Sequence, residues 1–317
     1  MVICIITGGS GLVGTGIRDV LRESRGLYDD FQFVFLDSKD GDLRDQQQTA
    51  AIFEKYKPKY CIHLAARVGG LYDNQTNNLD FFNENIDINK NVLEQCRLHK
   101  VRKTISCLST CIFPNNVSYP INETMLHSGI PHHSNIGYSY AKRMVDVQNR
   151  LYSEKTGDIY TSVIPTNVYG KNDNYHLQKS HVVPGLIHRM YIAKENNTKD
   201  FKVFGTGKPL RQFIHSQDLA SIILWALSNY QCIEPIICAP SDEYSIEYVA
   251  RTIAQKLNYE GRLLFDQSQS DGQLKKTADN ARLMSMIPEF KFKSFEDGIQ
   301  EAVQWFVDNY KSDRVRK

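Results

Sequence analysis

The sequence predicts an α/β protein, a Rossmann-type doubly wound parallel sheet with a smaller C-terminal α+β substrate lobe. Three observations lead there. A short β-branched apolar run at 2–7 passes straight into a glycine-rich loop and a helix-like stretch, the order in which a dinucleotide-binding unit begins. Strand-like and helix-like stretches then alternate up to about Pro165, which implies right-handed crossovers and a parallel sheet. Beyond Gly170 the alternation loosens into short strands, turns and separate helices. On this reading the dinucleotide-binding domain is 1–168 plus 211–239, and the substrate-binding lobe is 169–210 plus 240–317.

The first run, Val-Ile-Cys-Ile-Ile-Thr, suits a strand buried on both faces of a parallel sheet. Gly8, Gly9, Ser10, Gly11, Leu12, Val13 and Gly14 follow, with glycines at 8, 11 and 14. Missing side chains let backbone approach a pyrophosphate, and the helix start at about Leu12 offers free N–H groups and a positive dipole. Residues 31–36 read as the second strand, ending at Asp37-Ser38-Lys39. A carboxylate there suits free adenosine ribose hydroxyls and a basic residue suits a 2′-phosphate. Asp37 and Lys39 pull in opposite directions, so the residues alone leave NAD and NADP open. Asp42-Leu43 reads equally as an adenine flank or an ordinary polar turn. Residues 60–66 form another buried-strand pattern, closing on Ala65 and Ala66 and leading to Arg67-Val68-Gly69-Gly70. Those small residues would let backbone pack against the cofactor, and His63 within the strand reads as a satisfied core histidine.

A long helix is expected over 78–99, with Leu79, Phe82, Ile86, Leu93 and Cys96 forming its apolar face. Phe81, Ile88 and Val92 read as core residues or as a subunit interface. The strand at 103–108 ends at Ser109 and Cys111, the carboxyl end where parallel α/β sheets place their sites. A helix over 138–156, a strand at 159–164 and the turn from Pro165 to Gly170 complete the alternation. The remainder reads as helices over 185–194, 218–229, 245–257 and 294–310, with short strands at 201–204, 211–215 and 235–239. Ser245 and Ser294-x-x-Asp297 are helix caps.

Composition excludes several functions. At 317 residues the chain can bury a large core, and 38 basic against 36 acidic residues leave no field suited to nucleic acid. No apolar run approaches the roughly 18 residues of a membrane span, and Met1 to Thr7 lack a signal peptide's basic region. Seven cysteines without a Cys-x-x-Cys pair predict reduced thiols in a cytoplasmic protein. The Asn-x-Ser/Thr triplets at Asn74, Asn116, Asn122 and Asn196 then carry no glycan.

The chemistry gathers around Tyr138-Ser139-Tyr140-Ala141-Lys142. Tyr138 and Lys142 share one helix face, and an ammonium beside a phenol favours the phenolate, which would lower the Tyr138 pKa. Such pairs often arise by chance. Here the glycine loop and Ser109 accompany this one.

With those residues in order, the chain resembles the extended short-chain dehydrogenase/reductases, and among them the GDP-sugar epimerase-reductases, over nearly its whole length. The motifs are Ser-Thr-Cys-Ile-Phe-Pro (109–114), Gly-Tyr-Ser-Tyr-Ala-Lys-Arg-Met (137–144), Pro-Thr-Asn-Val-Tyr-Gly (165–170), Ser-His-Val-Val-Pro-Gly-Leu (180–186) and Ser-Asp-Gly-Gln (270–273). The resemblance implies NADPH-dependent conversion of GDP-4-keto-6-deoxy-D-mannose to GDP-L-fucose, by 3,5-epimerisation and then 4-keto reduction, in a homodimer. It makes Ser109, Tyr138 and Lys142 the reductase triad and Cys111 and His181 the epimerisation pair. A base and an acid suffice for that proton chemistry, with no metal. The glycine loop, Leu108, Pro165, Asn167, Val168, Lys142 and His181 would hold the cofactor. Arg189, Phe204, Arg211 and Asp271 map onto GDP-sugar contacts, with Lys276 a weaker candidate. The forked donors of arginine suit a diphosphate, and an aromatic ring packs against a base or a sugar. Ser10 stands where some members carry an arginine for the 2′-phosphate. Lys39 remains for that role, so NADP(H) is expected.

Two rivals differ in chemistry. Related 4,6-dehydratases need an acid and a base, typically Asp-Glu, where Cys111-Ile112 stand here, and a simple 4-epimerase needs neither Cys111 nor His181. A non-catalytic, cofactor-sensing Rossmann protein could dispense with Tyr138 and Lys142, and both are intact.

Overall fold

The computed structural model describes residues 1–24, 26–269 and 271–317. The chain runs β1 (Val2–Thr7), α1 (Leu12–Glu23), β2 (Phe31–Phe35), α2 (Gln46–Tyr56), β3 (Tyr60–His63), α3 (Leu71–Thr76), α4 (Asn78–Leu98), β4 (Lys103–Cys107), α5 (Ile136–Thr156), β5 (Ile159–Pro165) and β6 (Asn167–Tyr169). Then come α6 (Val182–Glu195), β7 (Asp200–Phe204), β8 (Leu210–Arg211), β9 (Phe213–His215), α7 (Ser216–Asn229) and β10 (Ile236–Cys238). The chain closes with β11 (Tyr244–Ser245), α8 (Ile246–Leu257), β12 (Arg262–Asp266), α9 (Ala281–Met286) and α10 (Phe295–Asn309). The expected doubly wound sheet is present. Six parallel strands lie in the order β2-β1-β3-β4-β5-β10, so the winding reverses between β1 and β3. A crevice opens at such a reversal, outside the carboxyl ends of the strands.

The apolar runs predict both faces of this sheet. Cys4, Ile6, Ile62 and Ile105 face α1 and α7, while Ile5, Cys61 and Ile164 face the side covered by α2, α4 and α5. A fully buried side chain such as Phe53 (0% exposed) contributes roughly 1.5–3 kcal/mol through burial. A third core lies under α6, α8 and α10, around Leu186, Met190, Ile253 and Phe306. Ser245 and Ser294 cap their helices as expected, accepting from the Tyr248 and Asp297 N–H groups. Each of the seven cysteines is free.

Three expectations change. The core-facing stripe of α4 is Phe81, Asn85, Ile88, Asn89, Val92, Leu93 and Cys96, whereas Leu79 is 70% exposed. Leu93 and Cys96 are buried as expected and Phe81, Ile88 and Val92 are core residues, but two buried asparagines interrupt the stripe, so hydrophobic spacing rotated the first half of the face away from the core. Helix α2 escapes the periodicity because only Thr49, Ile52 and Phe53 are buried on it; its sequence mark is Asp45, whose side chain accepts the Gln48 N–H at 2.9 Å. Strand β12, also unread, pairs in parallel with β7. The division into domain and lobe remains a proposal. It is refined by Leu283, which packs in the core beneath α1 and α7 although its segment was assigned to the lobe.

Candidate active site

The glycine loop shows why this sequence opens a site at the reversal. Gly8 adopts φ +66°, and a Cβ there would stand 2.9 Å from the Ala65 backbone N. A Cβ on Gly14 would meet the Gly9 backbone at 2.7 Å. The loop is thus folded on itself against the end of β3, and α1 starts at Gly11 with no side-chain cap. Its first N–H groups are left for a ligand. An anionic pyrophosphate fits that cradle.

From this loop a cleft of about 1130 Å³ runs into the C-terminal lobe. Ser10, Gly11, Leu12, Val13, Gly14, Asp37, Asp42, Leu43, Ala65, Ala66, Leu108, Pro165, Asn167 and Val168 line it, as do Ser109, Cys111, Tyr138, Lys142 and His181. Arg189, Phe204, Arg211, Asp271 and Lys276 line its lobe side. Two expected residues do not. Gly9 packs beneath the loop against Phe35, and Lys39 is exposed on the turn, where Arg44 takes the basic position on the wall. Asp37 lies on the wall, its Oδ1 accepting the Lys39 N–H at 2.8 Å. Arg44 is bound to Asp42 (2.7 Å) and to Glu84 (3.2 Å). Ser270 of the Ser-Asp-Gly-Gln motif lies outside the described residues.

The reacting groups come from the turn after β4, the first turns of α5 and the N-terminus of α6. Ser109 follows β4 and caps the 3₁₀ turn Thr110–Ile112, its Oγ accepting the Cys111 N–H at 3.4 Å. Arg143, adjacent to Lys142 and unassigned from sequence, fastens this turn. It is buried, and its Nε donates to Ile112 O at 2.8 Å while Nη1 donates to Gly129 O at 2.7 Å. Lys142 (3% exposed) donates from Nζ to Cys107 O at 2.8 Å. Burial lowers the Lys142 pKa. The expected lowering of the Tyr138 pKa is overturned. Burial first, then Cys111 and Cys107, raise it well above the usual phenol value, and the Lys142 ammonium is directed at the Cys107 carbonyl. Tyr138 is therefore a neutral phenol at physiological pH, a proton donor held edge-on to Phe81 at 6.2 Å. The thiol of Cys111 stands within electrostatic reach of Tyr138, Lys142 and Lys276. His63 is the satisfied core histidine expected, held by Thr7 at 2.8 Å and Asn89 at 3.0 Å.

His181 is the N-cap of α6, and its side chain makes no cap hydrogen bond, which leaves the ring free in the cleft. Although His181 is exposed, desolvation by the surrounding cleft lowers its pKa below the ordinary imidazole value. Gly69 and Gly70 line the cleft, and Gly70 has a second use. A Cβ on Gly70 would stand 2.5 Å from Ser180 O, and the Gly70 N–H donates to Lys179 O at 3.0 Å. Gly70 thus also admits the chain that delivers His181.

On the lobe side Arg189 lies over Phe204, 4.3 Å from the ring centroid, and Tyr72 meets the same ring edge-on at 6.4 Å. Tyr72 was not singled out from sequence. Asp271 is engaged within the protein, accepting from Thr206 N and Oγ1 at 2.7 Å each. Arg211 donates to Leu210 O at 2.7 Å and Gln273 O at 2.5 Å, and burial lowers its pKa to about 10. Lys276 is pushed down to about 8 by burial, with Arg211 adding to the fall and Cys111 opposing it. Both cations feel each other and His132. This end of the cleft suits an anion. No helix is long and apolar enough to cross a membrane among the described residues.

Residues 4–237 match the model of the NAD dependent epimerase/dehydratase family. A GDP-L-fucose synthase of Dictyostelium discoideum is 53% identical over 312 residues, covering 98% of this chain and 97% of that protein. A probable GDP-L-fucose synthase of Drosophila melanogaster is 49% identical, covering 99% of each. A crystal structure of a GDP-L-fucose synthetase from Naegleria fowleri bound to NADP superposes with a TM-score of 0.92 at 47% identity, covering 100% of this chain and 95% of that one.

Proposed function

The chain belongs to the NAD dependent epimerase/dehydratase family, within it to the GDP-L-fucose synthases, and from that premise we infer an NADP-dependent enzyme that converts GDP-4-keto-6-deoxy-D-mannose to GDP-L-fucose. The observation that carries this is that Ser109, Cys111, Tyr138, Lys142 and His181 line the single cleft that the glycine loop opens.

When bound, NADPH supplies a hydride to carbon 4 of the sugar. The glycine loop would hold its pyrophosphate, and Lys142, with N–H groups beyond the one given to Cys107 O, would hold the nicotinamide ribose. Carbons 3 and 5 flank the ketone, so their protons are acidic. Cys111 takes each proton from one face, where the nearby ammonium groups of Lys142 and Lys276 suit an anion. His181 returns a proton on the opposite face; Cys111 then releases its proton to solvent and His181 takes one up, and repetition inverts the second centre. Ser109 then hydrogen-bonds the carbon 4 oxygen, and the neutral phenol of Tyr138 donates its proton to that oxygen as it becomes an alkoxide. Arg189, Arg211 and Lys276 bind the GDP diphosphate, and the Phe204–Tyr72 wall packs against the base or the sugar.

Mixing the protein with NADPH and GDP-4-keto-6-deoxy-D-mannose should deplete the nicotinamide absorbance. No oxidation above buffer would favour the cofactor-sensing regulator. Lys276 adds a pH prediction. Its charged form is lost as pH rises through about 8, so KM for the nucleotide sugar should climb above that pH and stay flatter in Lys276→Arg. An unchanged pH profile in that variant would remove Lys276 from the diphosphate site. We further place the enzyme in the cytoplasm as a homodimer, using the exposed apolar side chains Leu79, Leu98 and Leu151 on α4 and α5. Sedimentation should give twice the chain mass; a monomer at micromolar concentration contradicts this.

A further inference from the structure

We propose that Arg316 is a positioning residue for proton transfer, because the C-terminal stretch clamps the loop that delivers His181. The inference rests on the role given to His181 above. The loop between β6 and α6 ends on His181, whose ring has no cap bond of its own, so its placement depends on how the preceding backbone is held. One fastening is the Gly70 N–H on Lys179 O at 3.0 Å. Another is the hydrogen bond between His188 Nδ1 and Tyr175 O at 2.6 Å, and a third is the C-terminal stretch. Val315 is buried in the lobe core at 6% exposure, and Arg316 forms a parallel bridge with Asn174. The Tyr175 N–H donates to Arg316 O at 2.8 Å, and Arg316 Nη2 donates to Asn172 O at 2.6 Å.

This loop needs holding. Asn172 is left-handed at φ +60°, a sparsely populated conformation that asparagine enters more readily than other non-glycine residues. Asp173 beside it is 5% exposed, and its Oδ2 has no hydrogen-bond partner among the described residues. Burial raises its pKa to about 7, with the Asn174 N–H and the Arg316 charge opposing. Arg316, Asp173, Asn174 and His181 all line the cleft. The clamp is thus built into the wall of the site, on the left-handed end of the span that ends at the acid.

The test compares wild type, Arg316→Ala, Arg316→Lys and His181→Ala. Exchange with inversion, read as solvent deuterium in the epimerised sugar at carbons 3 and 5, is measured by NMR with NADP+ bound, alongside NADPH affinity and Tm; exchange with retention, which Cys111 alone can carry out, is scored separately. A catalytic group displaced by an ångström loses on the order of 100-fold. Arg316→Ala should therefore slow inversion about 10–100-fold through kcat, with KM, NADPH affinity and Tm near wild type. Arg316→Lys should recover part of the rate, since an ammonium still reaches the Asn172 carbonyl. Wild-type inversion in Arg316→Ala, with inversion lost in His181→Ala, overturns the clamp alone. Inversion retained in His181→Ala overturns the role of His181 and the clamp with it. A parallel fall in Tm, NADPH affinity and inversion would show general destabilisation and also overturn it.

Discussion

Tyr138→Phe is expected to lower 4-keto reduction by about 10²–10⁴-fold, the usual contribution of a positioned general acid, while deuterium wash-in at carbons 3 and 5 continues. The variant keeps the ring and its edge-on contact with Phe81 and removes only the donor. The raised pKa of the phenol makes the prediction sharper. A tyrosine that stays protonated can give a proton but cannot serve as the resting base, so the base for exchange must be another group. Stopped-flow loss of the nicotinamide absorbance, run beside mass spectrometry of the sugar, reads both steps. Reduction at wild-type rate would show that another acid protonates the carbon 4 oxygen.

Cys111→Ser should produce the complementary defect. A hydroxyl in place of the thiol keeps the size of the side chain in its 8% exposed position but has little anionic form near neutral pH. Exchange should fall by about 10²–10⁴-fold, again the scale of general base catalysis. NADPH affinity should hold, because Lys142 and the glycine loop are untouched. Undiminished exchange in this variant contradicts the role of Cys111 as base.

Much of this site was legible because its chemistry sits in short local patterns. The run from Val2 through Gly14 predicted both a strand buried on two faces and the turn that opens the crevice, and Tyr138 and Lys142 lie on one helix as the spacing requires. What sequence could not supply was set by contacts between distant segments. Asn85 and Asn89 disguise the inner face of α4 because their partners, the Arg67 backbone and His63, come from another strand end. The second use of Gly70, packing against Ser180, is invisible until the fold brings the two together. The pKa of Tyr138 moves opposite to the local expectation because burial and two neighbouring thiols raise it. Arg316 belongs to the site only through the folding of the lobe, which brings it against Asn172.

Product isotope content tests the shared cleft most directly. The enzyme is run to completion with NADPH and GDP-4-keto-6-deoxy-D-mannose in D₂O, and the product is analysed by NMR. Two proton transfers and one reduction in a single site predict GDP-L-fucose carrying solvent deuterium at carbons 3 and 5 and a cofactor-derived protium at carbon 4. A reduced sugar with protium still at 3 and 5 would contradict the account and leave only a ketone reductase.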